Sequence, residues 1–407
     1  MIFTNFAPNE ELDDALISLK TLFAPGRWQK GKEITKVKNK IESFFPGYES
    51  FLYLSGRAAL YQLLKSLQLT AGSEVIVQAF TCEAVVLPII AAGLKPIYID
   101  INPEDFSLNF SLLRSQKNKN TRVIILQHTF GIVPEKRLAI LELAKKNNLF
   151  VIEDLAHGFD IDSTLKQPSV NSAFLLSFGR SKMISSVFGG AVLTKNRRII
   201  NSLRSASRNM DRPTAGFMIK AFLYKPLAVL IKSTYDLIIG KIIHRLTNSL
   251  NLLIPEITRK EKTGSFDNLL NKNYPNGLAV LLLNQLEKID LTSALRKKTI
   301  KLYHEFIVKN PHLQFYLTVN RPIVRMPLLV KYRNQIMLRF LRKNIQIGNW
   351  YQQAVAPKGL SLDKVFYKKG SCPIAEKICS EIINLPTLVN QKESYRILSS
   401  LKSILQI

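Results

Sequence analysis

Between about Ser55 and Thr194 the chain alternates amphipathic stretches with short apolar runs. GRAALYQLLKSL (56–67) and KRLAILELAKKNN (136–148) space their apolar residues for one face of a helix. Around them lie EVIV, PIYIDI, TRVIILQ, LFVIED, AFLLSF and GGAVLT, each short and almost wholly apolar. Such runs read as strands buried on both faces, and their alternation with helices predicts an α/β fold. The expected core is a mostly parallel central sheet with helices on both sides. Ligands of such sheets gather at the carboxyl edge of the strands. Polar residues stand there: Asp154 ends LFVIED and Ser177 follows AFLL.

The rhythm breaks near 211. From there to about 268 apolar residues are dense but interrupted by charge, with six Lys/Arg against one acid over 212–254. No uninterrupted run of about 18 apolar residues occurs, which argues against a transmembrane helix. Lys241, His244, Arg245 and Asn248 share one helical face, and Ile242, Ile243, Leu246, Leu250 and Leu253 share the other. That is a basic amphipathic helix, the kind that lies in a membrane interface. A helical hairpin packed on its own protein or on a dimer mate has the same pattern. Further on, 277–307 reads as one long helix, Pro311 and Pro322 mark loops, and PIVRMPLLV is strand-like. RNQIMLRFLRKN and AEKICSEIINL are expected to be helices. The expected divisions are an N-terminal arm with helices (1–50), a large α/β domain (51–210), a basic apolar helical insertion (211–268), and a long helix with a small α+β domain (269–407).

Charge changes the picture more than composition does. The 57 Lys+Arg exceed the 30 Asp+Glu, for a formal net charge of +27, which favours anionic partners. No nucleic-acid recognition motif appears and the basic residues are dispersed, so phosphorylated metabolites and an acidic membrane surface are the expected classes, with no nucleic acid. Cys82, Cys372 and Cys379 are too few for a disulfide scaffold and lack zinc-ligand spacing, pointing to a reducing, cytoplasmic compartment. The five histidines are scattered, so no metal site is expected. The first twenty residues carry acids early and no apolar core, unlike a secretory signal.

Three features could do chemistry. Lys182, in SFGRSKMISSVFGG, sits just past a buried strand among small residues; partial desolvation there makes an amine nucleophilic toward an aldehyde. Asp154 ends a central strand, where a carboxylate can pair with a protonated ring nitrogen, as the pyridine of pyridoxal phosphate requires; His157 follows three residues on. Ser55-Gly56-Arg57 opens a helix whose N–H groups suit a phosphate, with Ser177 and Ser181 as further donors. Taken singly, each has an ordinary reading: a solvated loop lysine, an Asp capping a helix, a satisfied structural His, a common serine N-cap.

Taken in order, they resemble the DegT/DnrJ/StrS family of pyridoxal-phosphate-dependent sugar aminotransferases, of fold type I. SGRAAL, EVIVQAFT, GLKPIYIDI, QHTFG, VIEDLAH, SFGRSK, GGAVLT, QLEKID and CPIAEKICSEIINLP follow the family's order across nearly the whole length. The resemblance implies that Lys182 is the Schiff-base lysine and Asp154 the partner of the pyridine nitrogen, with His157 beside the ring. It makes Gly56, Arg57 and Ser177 phosphate contacts, the first two mainly through backbone. Family members are homodimers in which an Asn of the other subunit reaches the phosphate; Asn271 is the best match and Asn273 the alternative.

The chain departs from the family at Cys82, where a ring-stacking aromatic is usual, leaving stacking to Cys82 itself or Phe80. Arg57 replaces a Thr and could place a charge beside the phosphate. Met183 replaces an Asn, and the insertion at 211–266 is larger and more apolar than usual. The implied reaction moves an amino group from glutamate to a keto-sugar, nucleotide- or lipid-linked, in glycan or polysaccharide biosynthesis. The basic insertion (212–254) would hold the enzyme on an anionic membrane surface at the cytoplasmic leaflet. The competing expectation is a non-catalytic protein of the same fold acting as a membrane-surface interaction module.

Overall fold

The structure is a computed structural model that describes residues 1–159, 171–249, 252–310, 313 and 321–406. The N-terminal region contributes β1 (Ile2–Phe3), α1 (Leu12–Leu22) and α2 (Glu33–Phe44). The α/β region runs β2 (Glu49–Tyr53), α3 (Gly56–Ser66), β3 (Glu74–Gln78), β4 (Thr81–Cys82), α4 (Glu83–Ala91) and β5 (Lys95–Ile99). It continues through α5 (Phe110–Gln116), β6 (Thr121–Gln127), α6 (Arg137–Lys146), β7 (Phe150–Asp154), β8 (Ser172–Ser177), β9 (Gly190–Thr194) and α7 (Arg197–Arg208).

Seven strands form one sheet in the order β2-β9-β8-β7-β6-β3-β5. The run from β8 to β5 is parallel, and β9 pairs antiparallel with both β8 and β2. The mostly parallel α/β expectation holds. Successive side chains point to opposite faces, so Val75 and Val77 join the core under α3 and α4 while Ile76 packs with Ile140 of α6 on the other side. β2 was not anticipated: ESFLY lies ahead of the alternating region and carries Glu49 and Ser50, yet it closes the sheet against β9 with Phe51 opposite Val192.

The insertion forms α8 (Ala215–Thr234), α9 (Ile239–Ser249) and α10 (Arg259–Lys262). No helix among the described residues is long and apolar enough to cross a membrane. α8 lies along α1. Lys225 is fully buried there, with its Nζ 3.5 Å from carboxylate oxygens of both Glu10 and Asp14, and Lys232 donates to the carbonyl of Ala7 at 2.9 Å. Two of the insertion's cations therefore serve packing, not a surface. α9 is turned differently from its simple two-faced reading: Ile243, His244 and Thr247 face the protein, with His244 against Phe6, while Ile239, Ile242 and Leu246 are exposed beside Lys241 and Arg245. Leu250 and Pro311 lie outside the described residues, and so does the side chain of Asn248.

The remainder comprises α11 (Asn276–Glu287), α12 (Ile289–Val308), β10 (Arg325–Leu329), α13 (Arg333–Arg342), β11 (Ile345–Gln346), β12 (Val355–Ala356), α14 (Pro373–Glu381), β13 (Ile382–Pro386) and α15 (Gln391–Leu405). Two expectations need correcting. The single helix over 277–307 is two, separated at Lys288, whose ammonium is held by Asp13 and Asp14 at 2.9 Å. The segment IINLP is a strand, not a helix end, because Ile382–Pro386 pairs antiparallel with β10 and buries every side chain. β1 pairs with β11, and β12 pairs with β4 next to Cys82, so both the N-terminal arm and the 349–358 segment return to the carboxyl edge of the large sheet.

Candidate active site

A cavity of about 370 Å³ opens at that edge, lined by residues of both regions. Asp154, at the end of β7, is 4% exposed. Its carboxylate accepts hydrogen bonds from the Ala156 N–H (2.9 Å) and from the Gln127 side-chain amide (3.2 Å). No cation lies within ion-pair distance of it among the described residues. Burial raises its pKa above the ordinary carboxylate value, opposed by the Ala156 N–H and the charge of Lys182. A buried carboxylate of this kind is completed by a cationic N–H placed against it.

Lys182 lines the same cavity, its Nζ 5.3 Å from the ring centroid of Trp350. Its carbonyl accepts from the Asn9 amide at 2.6 Å, which ties the lysine's backbone to the N-terminal arm. His157 is buried between aromatic neighbours, stacked on Trp350 at 5.3 Å. Its Nδ1 accepts from the Phe130 N–H (3.2 Å), and Nε2 faces the Tyr351 hydroxyl (3.3 Å). Burial first, then the charges of Lys182 and Arg325, hold its pKa well below the usual value. With Nδ1 accepting from a backbone N–H, Nε2 is the ring's donor toward Tyr351, and the lowered pKa favours the uncharged ring.

At the other end, α3 begins against β8 and β9. Ser55 caps the helix, accepting from the Ala58 N–H at 3.0 Å. A Cβ on Gly56 would stand 3.2 Å from Ser177 Cβ and Oγ, and one on Gly190 would stand 2.5 Å from the backbone of Gly56. Glycine at both positions lets the helix N-terminus approach the strand ends, leaving a cradle with N–H groups and the Ser177 hydroxyl around it. Arg57 begins the helix, but its guanidinium is engaged elsewhere: it pairs with Glu261 at 2.6 Å and donates to the Glu256 carbonyl at 2.7 Å. The expected free charge beside a phosphate is thus neutralised by the insertion. Ser181 is also occupied, donating to the Glu256 carboxylate at 2.8 Å. Burial pushes the neighbouring Glu83 up to about 7, despite the Arg57 charge.

Gly56, Arg57, Cys82, Asp154, His157, Ser177 and Lys182 therefore come together around one cavity. Asn271 does not line it; its side-chain oxygen accepts from Gln62 at 3.0 Å, and Asn273 donates to the carbonyls of Ser207 and Met210. Cys82 lines the cavity with a thiol that burial pushes up to about 12. Phe80 does not line it, being stacked on Phe106 at 5.7 Å. The aromatic surface that Cys82 lacks comes instead from Trp350 and Tyr351, which sequence reasoning missed along with Asn5 and Glu256. Their one sequence signal is the WY pair after Gly348, which no helix or strand periodicity picks out.

The residues fit a pyridoxal phosphate: a lysine amine, a buried carboxylate with no cation at ion-pair distance among the described residues, a buried imidazole and a glycine-lined helix N-terminus. Comparison with known proteins bears on this arrangement. The chain is 32% identical over 194 residues to a GDP-perosamine synthase of Escherichia coli O157:H7, covering 47% of this chain and 50% of that protein. It is 27% identical over 193 residues to a 3-oxo-glucose-6-phosphate:glutamate aminotransferase of Bacillus subtilis, covering 47% and 43%. The matched stretch spans about half the length of these curated relatives. Among solved structures, NtdA from Bacillus subtilis with bound cofactor PMP superposes with a TM-score of 0.75 at 19% identity, covering 98% of this chain and 83% of that one. The sugar aminotransferase Spr1654 from Streptococcus pneumoniae, described as putative and in its PMP form, gives 0.73 at 18%, covering 98% of each. These likenesses show a shared fold, that of the fold-type-I aminotransferases. The model of the DegT/DnrJ/EryC1/StrS aminotransferase family matches residues 11–215 and 259–401, and the chain belongs to that family.

Proposed function

We propose that the chain is a pyridoxal-phosphate-dependent aminotransferase that moves an amino group from glutamate to a keto-sugar, nucleotide- or lipid-linked, in glycan or polysaccharide biosynthesis. The observation that carries this reading is Asp154, a buried carboxylate without a cationic partner among the described residues, in one cavity with Lys182. Bound pyridoxal phosphate supplies an electron-withdrawing ring that stabilises negative charge developing at the donor Cα. Asp154 would hold the ring nitrogen and keep it protonated. The Lys182 amine would hold the cofactor's aldehyde and, when free, would serve as general base and acid at the donor Cα. His157 would pack beside the ring, and the α3 N-terminus and Ser177 would hold the phosphate.

The name of the Bacillus subtilis relative supports glutamate as donor and a keto-sugar as acceptor. The test is spectroscopic: purified protein should show the visible band of a lysine-linked pyridoxal phosphate, and Lys182→Ala should lose both the band and amino transfer from glutamate. A colourless wild type after cofactor addition refutes the reading.

The working unit is a homodimer in which Asn271 reaches the partner's cofactor phosphate, which accounts for its position outside its own cavity. The enzyme works in the cytoplasm, with α9 against the inner membrane leaflet. The exposed Ile239, Ile242 and Leu246 would enter the interface, while Lys241 and Arg245 beside them each add about 1 kcal/mol near anionic lipid. Co-sedimentation with phosphatidylserine vesicles should fall in Ile242→Ser/Leu246→Ser; an unchanged bound fraction refutes membrane contact.

A further inference from the structure

The loop carrying Lys182 runs from the end of β8 at Ser177 to the start of β9 at Gly190. Within it the Lys182 N–H reaches the Gly179 carbonyl at 3.2 Å, but the lysine's own carbonyl finds its donor outside the loop. That donor is the side-chain amide of Asn9, at 2.6 Å. Asn9 is 5% exposed, and its carboxamide is used at both ends: Oδ1 accepts from the Arg296 guanidinium at 2.9 Å. Arg296, buried on α12, also donates to the Thr387 hydroxyl (2.7 Å) and the Val324 carbonyl (3.2 Å). A charged donor on its oxygen polarises the amide and strengthens the bond that its N–H makes. Gln285 of α11 joins the same arrangement, donating to the Asn9 carbonyl and accepting from the Ser185 N–H, both at 3.3 Å.

The arm that carries Asn9 is in turn held by the insertion. Lys232 donates to the carbonyls of Ala7 (2.9 Å) and Glu10 (3.3 Å), and Lys225 lies 3.5 Å from the Glu10 carboxylate. Asn9, Lys225 and Lys232 all fall outside the two segments that the family model matches, whereas Arg296 and Gln285 fall inside them. A general base and acid works only within hydrogen-bond reach of its proton, and a backbone shift of about 1 Å can cost about a hundredfold in rate. The lysine side chain is long and flexible, so its reach is set by where its backbone is fixed.

We propose that Asn9 is a positioning residue for the reaction: by holding the Lys182 carbonyl it fixes the backbone from which the lysine amine reaches the donor Cα. The consequence for the reaction rests on the aminotransferase reading above; the hold on Lys182 rests on the hydrogen bonds alone.

Two variants separate position from stability. Asn9→Ala loses both bonds of the carboxamide, whereas Asn9→Asp keeps an acceptor for Arg296 and loses the donor to Lys182. In the cofactor-loaded protein, both should slow the single-turnover loss of the visible band with saturating glutamate about tenfold to a hundredfold per coloured site. The glutamate concentration that gives half the maximal rate should stay within about twofold. A purely structural role would lower the coloured fraction and leave the remaining sites reacting at the wild-type rate. Asn9→Asp reacting within about threefold of wild type overturns the proposal. Amide hydrogen exchange of the cofactor-free proteins reads the hold itself. Peptides covering 180–187 should exchange about fivefold faster or more in both variants, and those covering α6 should not change. Faster exchange there, in a protein whose wild type stays colourless with cofactor, keeps the hold on Lys182 and refutes the aminotransferase. A coloured wild type with unchanged exchange and rate in both variants does the reverse.

Discussion

Asp154→Asn separates the cost of a buried charge from its use. In the protein without cofactor, the carboxylate is 4% exposed and, among the described residues, accepts from the Ala156 N–H and the Gln127 amide. Its pKa is raised on folding, so its contribution to stability declines as pH rises above the ordinary carboxylate range. At pH 7 the neutral asparagine relieves that cost, and the cofactor-free variant should melt at or above the wild-type temperature. With the cofactor bound the balance reverses. An opposite charge at hydrogen-bonding distance shifts a partner's pKa by about 1–3 units, or about 1.4–4 kcal/mol at 1.36 kcal/mol per unit. Losing that support for the ring cation should slow the donor half-reaction about tenfold to a thousandfold. Two measurements check this: calorimetric melting of both cofactor-free proteins at pH 7, and single-turnover loss of the visible band after mixing with glutamate. A variant that melts lower without cofactor and reacts within about threefold of wild type refutes the assignment of Asp154 as an unpartnered charge awaiting a cation.

Glu83 carries a related pH signature. Its carboxyl is raised from 4.5 to about 7, so the folded chain binds a proton that the unfolded chain has released, and stability falls as pH rises through that window. Glu83→Gln should remove about 3 kcal/mol of this pH-dependent loss, seen as a flatter profile of melting temperature between pH 5 and 8; an unaltered slope refutes it. Trp350→Ala removes the aromatic surface nearest Lys182 and should weaken cofactor binding about fivefold to tenfold, read as the pyridoxal phosphate concentration that half-saturates the visible band. Unchanged saturation would mean that Trp350 packs only against His157 and Arg325.

The glycine pair shows how local pattern and three-dimensional placement divide the explanation. Ser55-Gly56 before GRAALYQLLKSL is readable as a helix start, since a serine cap and helical apolar spacing are local facts. That Gly190 must lack a side chain because a Cβ there would stand 2.5 Å from the Gly56 backbone, and that a Cβ on Gly56 would crowd Ser177 at 3.2 Å, depends on strands more than a hundred residues from the helix start. Arg57 makes the same point. Its charge was legible, but its partners, Glu261 and the Glu256 carbonyl, come from the insertion, whose sequence reads as a packed hairpin or as an amphipathic helix lying in a membrane interface.

From the order of residues alone came the alternating strands and helices and the mostly parallel sheet, with Asp154 and Ser177 at the ends of apolar runs; Lys182 and His157 stood out only through the resemblance to a family. Periodicity and strand ends are displayed by the chain without its being folded. Tertiary structure alone decided that β2 closes the sheet, that IINLP pairs as a strand, and that Lys225 faces inward. It also decided that Trp350 and Tyr351 line one cavity with Lys182 and Asp154. These depend on contacts between segments far apart in the chain, where burial and charge are set by what happens to lie opposite.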